Sequence, residues 1–389
     1  MKLAIAATHP VQYQVPWYRA LARREGVDLT VYFALLPGPR QQGVGFGTDF
    51  AWDVPLLDGY RWEELENTAR EPSLGGFFTS RTPGVEAALA RDRPEAVIVG
   101  GWNALPLLQV LRACRRLGIP CLVRAESSGL RRRAIWMRAA HRWLLARFEA
   151  CLAIGRANRE FYLRNGVPAE RIFPVPYFVD NERFAAQAAA RMPERDSIRA
   201  GWGVAPEEIC FLFAGKLVRK KRVLDFLAAC ANARRSDPRI RALVVGTGEM
   251  EGVARGYAAR HEAGAEFAGF LNQSEISRAY VAADCLVLPS DYGETWGLVV
   301  NEAMVHGLPA IVSDRVGCGP DLVIDGKTGR IFPFGDVDAL ARTLLAMSAD
   351  GAARAEMGRR ARAHVASYSA ERAVDGTLQA VAYVRGKVR

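Results

Sequence analysis

Short apolar runs alternate with helical patterns along the whole chain. In the first half, the apolar runs predict strands at Lys2–Ala7, Leu29–Phe33, Ala96–Val99, Pro120–Arg124, Cys151–Ile154 and Ile172–Val175. In the second half, they predict strands at Cys210–Ala214, Ala242–Val245, Glu266–Ala268, Cys285–Leu288 and Ala310–Ser313. Helical periodicity fills the stretches between them, as in Trp17–Arg24 and Leu105–Leu117. This alternation predicts parallel sheets with helices on both faces.

The length of the chain favours two domains. At 389 residues it exceeds what a single hydrophobic core usually serves. The pattern breaks in a polar stretch rich in Ala and Arg. We therefore predict a first domain over residues 1–180, a linker over 181–203 and a second domain over 204–365. The predicted fold class is α/β, with two Rossmann-like, doubly wound parallel-sheet domains facing a cleft. Ligands of such sheets bind outside the carboxyl ends of the strands.

The formal net charge of +10 is uneven: residues 1–185 have 25 Lys and Arg against 18 Asp and Glu, for +7. Such an excess indicates an acidic partner, whether nucleotide, nucleic acid or membrane surface. Seven scattered cysteines without a C-x-x-C pair predict reduced, packed thiols and a cytoplasmic location. No apolar run approaches the roughly 18 residues that cross a bilayer, and the opening MKLAIAATHPVQY is typical of a buried strand rather than a signal peptide.

A basic cluster follows the first strand of the second half. In CFLFAGKLVRKKRVLDFL, the strand ends at Ala214, Gly215 turns the chain and a helix begins near Val223. The cations before that helix are Lys216, Arg219, Lys220, Lys221 and Arg222. Positive charge there opposes the helix dipole, and a bound anion would satisfy both the cations and the helix amides. The alternative is a solvated basic loop.

A small glycine turn, Gly246-Thr247-Gly248, follows the next strand. It lacks the third glycine of a dinucleotide-binding fingerprint. Its glycines either let the backbone approach a ligand or make a tight turn.

The stretch GETWGLVVNEAMVHGLP, residues 293–309, has two carboxylates in and around an apolar segment. A buried carboxylate is costly unless hydrogen bonds satisfy it. Glu294 lies in a loop at the carboxyl edge of the predicted sheet, and Glu302 lies about two turns into the next helix. Amides from Trp296 to Leu298 offer a second anion site, and a carboxylate can accept two hydrogen bonds from a vicinal diol. These groups together predict a nucleotide-diphosphate-sugar site; the alternative is a surface role for Glu302.

These motifs resemble those of glycosyltransferase family 4, the retaining sugar-nucleotide transferases of group 1 with the GT-B fold. The matching residues are Gly215-Lys216-Leu217 with Lys221, Gly246-Thr247-Gly248, Ala268-Gly269-Phe270, Ala283-Asp284, Leu288-Pro289-Ser290, Glu294 with Glu302, and Gly307-Leu308-Pro309. They extend across the C-terminal domain. Pro176–Phe184 resembles the inter-domain segment of the family.

The resemblance implies a role for each donor-side residue. Lys216 and Lys221 would hold the diphosphate, Glu302 the ribose hydroxyls and Glu294 the transferred sugar. Glu294, Lys216 and Lys221 are therefore the expected catalytic residues, and Phe270 and Leu271 would lie beside the base. The full set of expected donor contacts is Gly215, Lys216, Lys221, Gly246, Phe270, Leu271, Glu294, Trp296, Gly297, Leu298 and Glu302. A final helix over residues 366–389 would pack back on the first domain.

The implied chemistry is transfer of a hexose with retention at the anomeric carbon, with fixed cations and amides stabilising the leaving diphosphate. We expect a UDP-sugar donor rather than a GDP-sugar, and a sugar, lipid-linked or small-molecule acceptor. We also expect a role in surface-polysaccharide or glycolipid assembly, and no metal or other cofactor. One alternative is a nucleotide-sugar 2-epimerase of the same shape, which needs cleft acids and bases to move a proton. Another is a basic nucleic-acid-binding protein, which leaves the two glutamates unexplained.

The acceptor half departs from the family pattern. Many relatives have a glycine pair after the first strand and a histidine after the fourth, where this chain has Thr8–Tyr13 and Gly100–Asn103. In the donor half, Lys216 replaces the usual arginine and Arg222 replaces a glycine; the lysine keeps the charge but loses the bidentate fork. The candidate acceptor contacts are His9, Gln12, Trp102, Asn103, Arg124 and Glu126. Packing is the alternative role for the strand-end histidine.

Two further features bear on metals and membranes. His141, His261, His306 and His364 form no recognisable metal-binding motif with neighbouring residues in the sequence, and the D-x-D of Asp336 and Asp338 precedes a helix that it would cap.

The segment Leu130–Glu149 mixes six arginines with Trp136, Trp143, Leu144, Leu145 and Phe148. Such a helix can lie on an anionic membrane, which would place the protein peripherally on the inner face of the plasma membrane, bound through Arg131, Arg132 and Arg133. The alternative is a helix whose apolar face packs on the sheet.

Overall fold

The structure is a computed structural model that describes residues 1–131 and 133–387. Its contacts divide the chain into two compact units. The first unit contains residues 1–42 and 50–177 and the chain from residue 369 onward; the second contains residues 43–49 and 178–368. Each unit is built on one parallel sheet, as the alternation of strands and helices predicts.

The sheet of the first unit has seven strands in the order β3-β2-β1-β4-β5-β6-β7. They are β1(Lys2–Ala7), β2(Asp28–Phe33), β3(Arg61–Glu64), β4(Ala96–Val99), β5(Cys121–Val123), β6(Ala150–Ala153) and β7(Ile172–Pro174). The interior strand β1 pairs on both sides, so that Ala4 lies between Thr30 and Val97. The structure adds β3 to the predicted strands. Its sequence, RWEE, is mostly exposed at the sheet edge and therefore carries no apolar pattern.

Among its described residues before 177, the first unit has the helices α1(Val15–Ala22), α2(Pro39–Gln42), α3(Val85–Asp92), α4(Leu105–Leu117), α5(Ile135–Leu145) and α6(Arg156–Arg164). Helix α4 shows why the sequence forms it. Pro106 lies in its first turn, Val110, Leu111 and Cys114 are buried on one face, and Gly118 ends it in the left-handed conformation.

The sheet of the second unit has six strands in the order β10-β9-β8-β11-β12-β13. They are β8(Ile209–Ala214), β9(Ile240–Val245), β10(Ala265–Gly269), β11(Cys285–Leu288), β12(Ala310–Ser313) and β13(Gly329–Phe332). Strands β11 and β12 are buried along their whole length, which explains their continuous apolar runs. Strand β13 is absent from the predicted strands, because Gly329 and Arg330 interrupt its apolar character.

The helices of the second unit are α7(Asn181–Arg191), α8(Arg195–Gly201), α9(Val223–Arg234), α10(Glu251–Arg260), α11(Ile276–Ala282), α12(Leu298–Val305), α13(Gly319–Leu322), α14(Val337–Ala349) and α15(Gly351–Val365). The final helix of the described chain, α16(Ala370–Lys387), belongs to the first unit instead. There Trp17 of α1 donates from Nε1 to Thr377 Oγ1 of α16 at 3.2 Å in a buried contact. The final helix thus packs on the first unit, as the resemblance implies.

Residues 181–203, predicted to be a linker, instead form α7 and α8 of the second unit. Asp180 caps α7 by accepting a hydrogen bond from the Arg183 amide at 3.0 Å. The segment resembles a polar linker in sequence because some of its arginines are buried in ion pairs and hydrogen bonds rather than exposed to solvent. Buried Arg199 pairs with Asp284 at 3.1 Å and donates to the Ala282 carbonyl. Phe184, Ala188 and Ile198 supply the apolar part of the buried face.

The seven cysteines are all buried and unpaired, in keeping with a packing role. Over the described part of the chain, none of the helices combines the length and the apolar character that crossing a bilayer requires.

Candidate functional site

Three loops meet at the carboxyl edge of the second sheet: those that follow β8, β9 and β11. The Leu217 amide donates to the Thr247 carbonyl at 2.8 Å, and the Asp291 amide donates to the Lys220 carbonyl at 2.9 Å. These bonds between loops fix the relative positions of the side chains that the loops carry.

The glycine turn after β9 is required by this close approach. Gly246 has φ +124°, and a Cβ there would lie well within 3.0 Å of the Gly215 carbonyl oxygen. At Gly248, a Cβ would lie 2.7 Å from the Leu217 carbonyl oxygen. The two glycines therefore allow the backbone of the neighbouring loop, which follows β8, to approach at short distance.

Lys221 and Glu294, both predicted donor-site residues, form an ion pair in which each side chain is only 13% exposed. Their neighbours reinforce the contact, since Lys220 donates from Nζ to the Gly293 carbonyl at 3.3 Å. The loops after β8 and β11 thus bring a cation and a carboxylate together at the sheet edge, where the sequence analysis placed them.

Arg222, which stands where many relatives have glycine, adopts the left-handed conformation with φ 58°. Most side chains disfavour this region, which explains why a glycine suits the position. Arg222 also forms a bidentate pair with Asp225, with both N–O distances at 2.9 Å. Its charge is thereby turned toward the first turn of α9.

Lys216 contacts a segment that the sequence analysis did not connect with the site. Its Nζ donates to the Val44 carbonyl at 2.9 Å and lies 4.3 Å from the centre of the Phe46 ring. Phe46 also packs edge-on against Phe270, with ring centres 5.2 Å apart, and its carbonyl accepts from Thr247 Oγ1 at 2.6 Å. Burial, together with Lys220 and Lys221, lowers the pKa of Lys216. The alternating glycines of G-V-G-F-G, residues 43–47, were the available signal.

Glu302 lies on α12 and accepts a hydrogen bond from the Tyr280 hydroxyl at 2.6 Å. Burial raises the pKa of this carboxyl to about 7, against the lowering influence of Tyr280, Arg183 and Lys221. Glu302 therefore does not lie on an exposed helix face. Tyr280 was missed because nothing in the apolar sequence of α11 distinguishes it from a core residue.

The backbone at the start of α12 has the geometry of an anion site, and the Trp296 side chain, as distinct from its predicted amide, is engaged within the protein. The helix begins at Leu298 after Gly297, whose φ is +106° and whose added Cβ would lie 2.8 Å from Leu288. The first amides of a helix have no acceptor within it. The buried indole of Trp296 instead donates to Asn301 Oδ1 at 2.8 Å.

The remaining donor-side predictions lie in the two neighbouring loops. Gly215 follows β8 with φ +145°, and a Cβ added there would lie 3.6 Å from the Lys221 side chain. Phe270 and Leu271 follow β10 and are both half-buried. The structure thus brings the predicted donor-side residues together along one edge of the sheet.

The predicted acceptor-side residues belong to the first unit, where Arg124 and Glu126 form one aromatic cluster. Arg124 is 5% exposed, and its guanidinium lies 4.7 Å from the Trp17 ring centre and 4.3 Å from that of Tyr177. Glu126 accepts hydrogen bonds from the hydroxyls of Tyr177 and Tyr13. Burial, followed by the charge of Glu126, raises the pKa of both tyrosines.

The other acceptor-side predictions are more scattered. Trp102 stacks on Phe161 with ring centres 6.1 Å apart and packs against the core. Asn103 is exposed, Gln12 is half-buried, and His9 Nδ1 lies 2.9 Å from Thr8 Oγ1.

The first aspartate of the D-x-D motif, Asp336, caps α14 in the second unit by accepting from the Ala339 amide at 2.7 Å, which confirms the predicted capping role for this residue.

Comparisons with known proteins cover both units. The family model "Glycosyl transferases group 1" matches residues 194–364, and "Glycosyl transferase 4-like domain" matches residues 10–177. The D-inositol 3-phosphate glycosyltransferase of Nocardia farcinica is 32% identical over 228 residues, which are 55% of this chain and 48% of that protein. The GDP-mannose-dependent alpha-mannosyltransferase of Mycobacterium tuberculosis is 30% identical over 238 residues, 59% and 57% of the two chains. The chain thus spans about half the length of these curated relatives.

Among solved structures, that of HepE from Anabaena in complex with UDP aligns with 98% of this chain and 100% of its own, at a TM-score of 0.73 and 15% identity. This likeness concerns the fold, and it extends over both sheets.

Proposed function

Because this chain belongs to the group 1 glycosyltransferases of family 4 and has their GT-B fold, we propose that it transfers a sugar from a nucleotide-diphosphate-sugar to a hydroxyl acceptor. One observation carries the proposal. Lys216, Lys221, Glu294 and Glu302 come from separate loops and a helix, yet they gather at the carboxyl edge of one parallel sheet. Cations, helix amides and a diol-binding carboxylate at that edge match a nucleotide-diphosphate-sugar part by part.

The ion pair between Lys221 and Glu294 suggests how the donor engages. A diphosphate carries more negative charge than one carboxylate, so it competes with Glu294 for the Lys221 ammonium. Once Lys221 turns to the diphosphate, Glu294 is released to accept hydrogen bonds from hydroxyls of the transferred sugar. Lys216 would likewise exchange the Val44 carbonyl for a phosphate oxygen.

The proposed reaction proceeds with retention. The acceptor oxygen attacks the anomeric carbon on the face from which the diphosphate leaves. The carbon–oxygen bond to the diphosphate breaks with its electron pair, and the proton of the acceptor hydroxyl leaves on a diphosphate oxygen. Lys216, Lys221 and the α12 amides stabilise the charge that develops on the leaving group, so we propose that no metal ion is required.

We propose a UDP-hexose as the donor, and an acceptor that is a sugar, a lipid-linked sugar or a small molecule of surface-polysaccharide or glycolipid assembly. The structure of HepE from Anabaena holds UDP in the same fold, which supports a uridine donor. The mannosyltransferase relative is named for GDP-mannose, so guanosine is the base to test against it.

The experiment that tests the donor site is calorimetric titration of UDP and GDP into the whole chain and into Glu302→Ala. We expect micromolar binding of UDP to the wild type and a loss of at least about 100-fold in the variant, because a charged acceptor of two hydroxyl hydrogen bonds is removed. Deoxyuridine diphosphates provide the matched ligand control, since they should lose affinity for the wild type but little for Glu302→Ala. If neither nucleotide binds the wild type, the donor assignment is contradicted.

Nucleotide affinity should also depend on pH through Glu302. Its pKa is about 7, so a fraction of the free protein is protonated near neutrality, whereas ribose hydroxyls bind the ionised form. UDP affinity should therefore rise with pH up to about 7 and level off above it, changing by up to about tenfold per pH unit below that value. Glu302→Gln, which cannot ionise, removes this dependence and leaves only that of the UDP phosphates. Equal pH profiles for the two proteins would contradict the role of Glu302.

A further inference from the structure

Helix α5 of the first unit presents its large apolar side chains to solvent. Ile135 is 83% exposed, Trp136 70% and Trp143 62%, and Leu145 is the buried residue of the helix. The two tryptophans are seven residues apart, so they lie about two turns, or ~10 Å, apart on the same face. The interpretation that the apolar face of this helix packs on the sheet therefore applies to its Leu144–Leu145 side only.

The surroundings of these tryptophans are strongly basic. Between Leu105 and Arg147 the sequence contains ten arginines and a single carboxylate, Glu126. That carboxylate is engaged with two tyrosine hydroxyls in the aromatic cluster. On α5 itself, Arg138 and Arg142 are also exposed, on the side of the helix away from the tryptophans. The surface thus combines apolar side chains with a local excess of positive over negative charge.

A groove between α4 and the C-terminal end of α5 continues this surface. It has a volume of about 440 Å³, and the described residues that line it are four arginines, three leucines and a tryptophan. Arg116 is paired with Glu86 at 3.0 Å, and Arg147 stacks over the Trp143 ring. For Arg112 and Arg115, both exposed, the described part of the chain shows no ion pair.

We propose that this α4–α5 face, formed by Arg112, Arg115, Trp136 and Trp143, binds an anionic membrane surface. Tryptophan favours the boundary between acyl chains and headgroups, where its ring is apolar and its N–H reaches water. Arginines at the same level meet lipid phosphates, and each adds attraction to an anionic leaflet. A nucleic acid would satisfy the arginines, but its charged sugar–phosphate surface offers Ile135, at 83% exposure, less apolar area than acyl chains do.

The arginines that matter on this face differ from those predicted from the sequence. Arg133 donates to the Ser128 carbonyl at 2.8 Å, and its guanidinium lies 4.8 Å from the centre of the Phe161 ring, so it is held by its own unit. Arg131 is exposed, and Arg132 lies outside the described residues. The test therefore targets α4 and α5 rather than the run at 131–133.

The experiment is sedimentation of the whole chain with phosphatidylglycerol-containing vesicles and with pure phosphatidylcholine vesicles. Wild type should pellet with the anionic vesicles, with a blue shift of tryptophan fluorescence. Arg112→Gln/Arg115→Gln should weaken binding about 30-fold, and Trp136→Ala/Trp143→Ala about tenfold. The matched control is Arg235→Gln/Arg342→Gln, which removes the same charge from exposed positions of the second unit and should bind like wild type.

Three results would overturn the proposal: no sedimentation of the wild type, equal loss in the control variant, or binding that is unaffected by the tryptophan substitutions and is competed away by RNA. The last result would assign the face to a nucleic acid. Thermal unfolding and circular dichroism of each variant verify that it is folded, without recourse to the donor site. Vesicle binding needs no donor, so failure of this proposal and failure of the proposed donor site are separate outcomes.

Discussion

Lys221→Ala should lower the turnover of sugar transfer by about 10²–10³-fold, the loss typical of removing one preorganised group that stabilises a developing anion. The Lys221 side chain is 13% exposed and lies where the loops after β8 and β11 meet. If it is removed, water can therefore stabilise the charge of the leaving diphosphate only weakly in its place. The effect should appear mainly in kcat, because negative charge on the diphosphate increases as the bond to the sugar breaks. The measurement is initial rate against donor concentration, with EDTA present.

The control for Lys221 is its neighbour. Lys220→Ala removes the same charge from the same loop, but that side chain is exposed and donates its hydrogen bond to a backbone carbonyl, that of Gly293, at 3.3 Å. We expect less than a fivefold effect, in line with a screened surface charge. Because Lys221→Ala leaves Glu294 without its ion-pair partner, thermal unfolding of each variant is measured as well. Lys221→Arg keeps the pair and should keep the stability. A near-wild-type rate in Lys221→Ala contradicts the diphosphate assignment, and a rate abolished by EDTA contradicts metal independence.

The interior strands could be predicted from their continuous apolar runs, because a strand that is buried on both faces requires an apolar residue at nearly every position. Strands β1, β4, β11 and β12 have the predicted bounds, and each is almost wholly buried. The two strands that the analysis missed lie at sheet edges. There β3 is largely exposed, and β13 begins with a glycine whose Cβ would meet the backbone of β12. Edge strands need fewer apolar residues, so an apolar pattern does not reveal them.

The donor-side residues were accessible from sequence because they break local rules. Cations before a helix and a carboxylate inside an apolar helix are both unfavourable without a ligand or partner. The partners themselves were not accessible. Tyr280 meets Glu302, and Val44 meets Lys216, across long stretches of chain that no periodicity connects.

The acceptor side shows the limit of reasoning from strand ends. Arg124 was singled out because it ends a strand, and the structure encloses its guanidinium between Trp17 and Tyr177. Trp102 was singled out likewise, and it packs on Phe161. A position at the carboxyl edge is common to ligand contacts and to packing residues. The distinction depends on aromatic neighbours that lie elsewhere in the sequence.

Gly246→Ala should destabilise the protein by about 3 kcal/mol and lower UDP affinity in parallel. The new Cβ would meet the Gly215 carbonyl oxygen, a backbone atom that cannot move without displacing the loop that carries Lys216. The residue would also have to hold φ at +124°, where alanine is strained. Thermal unfolding and calorimetric titration with UDP measure the two effects on the same preparation.

Gly256→Ala is the matched control, since this glycine is exposed within α10 and a Cβ there meets nothing within 4 Å. Alanine should raise stability by up to about 1 kcal/mol at that position, through helix propensity alone, and should leave UDP binding unchanged. A Gly246→Ala protein that is as stable as wild type but binds UDP weakly would mean that the glycine serves close approach of a ligand. Loss of stability and of UDP affinity together means that Gly246 permits the contact between the loops after β8 and β9, and that the donor site depends on that contact.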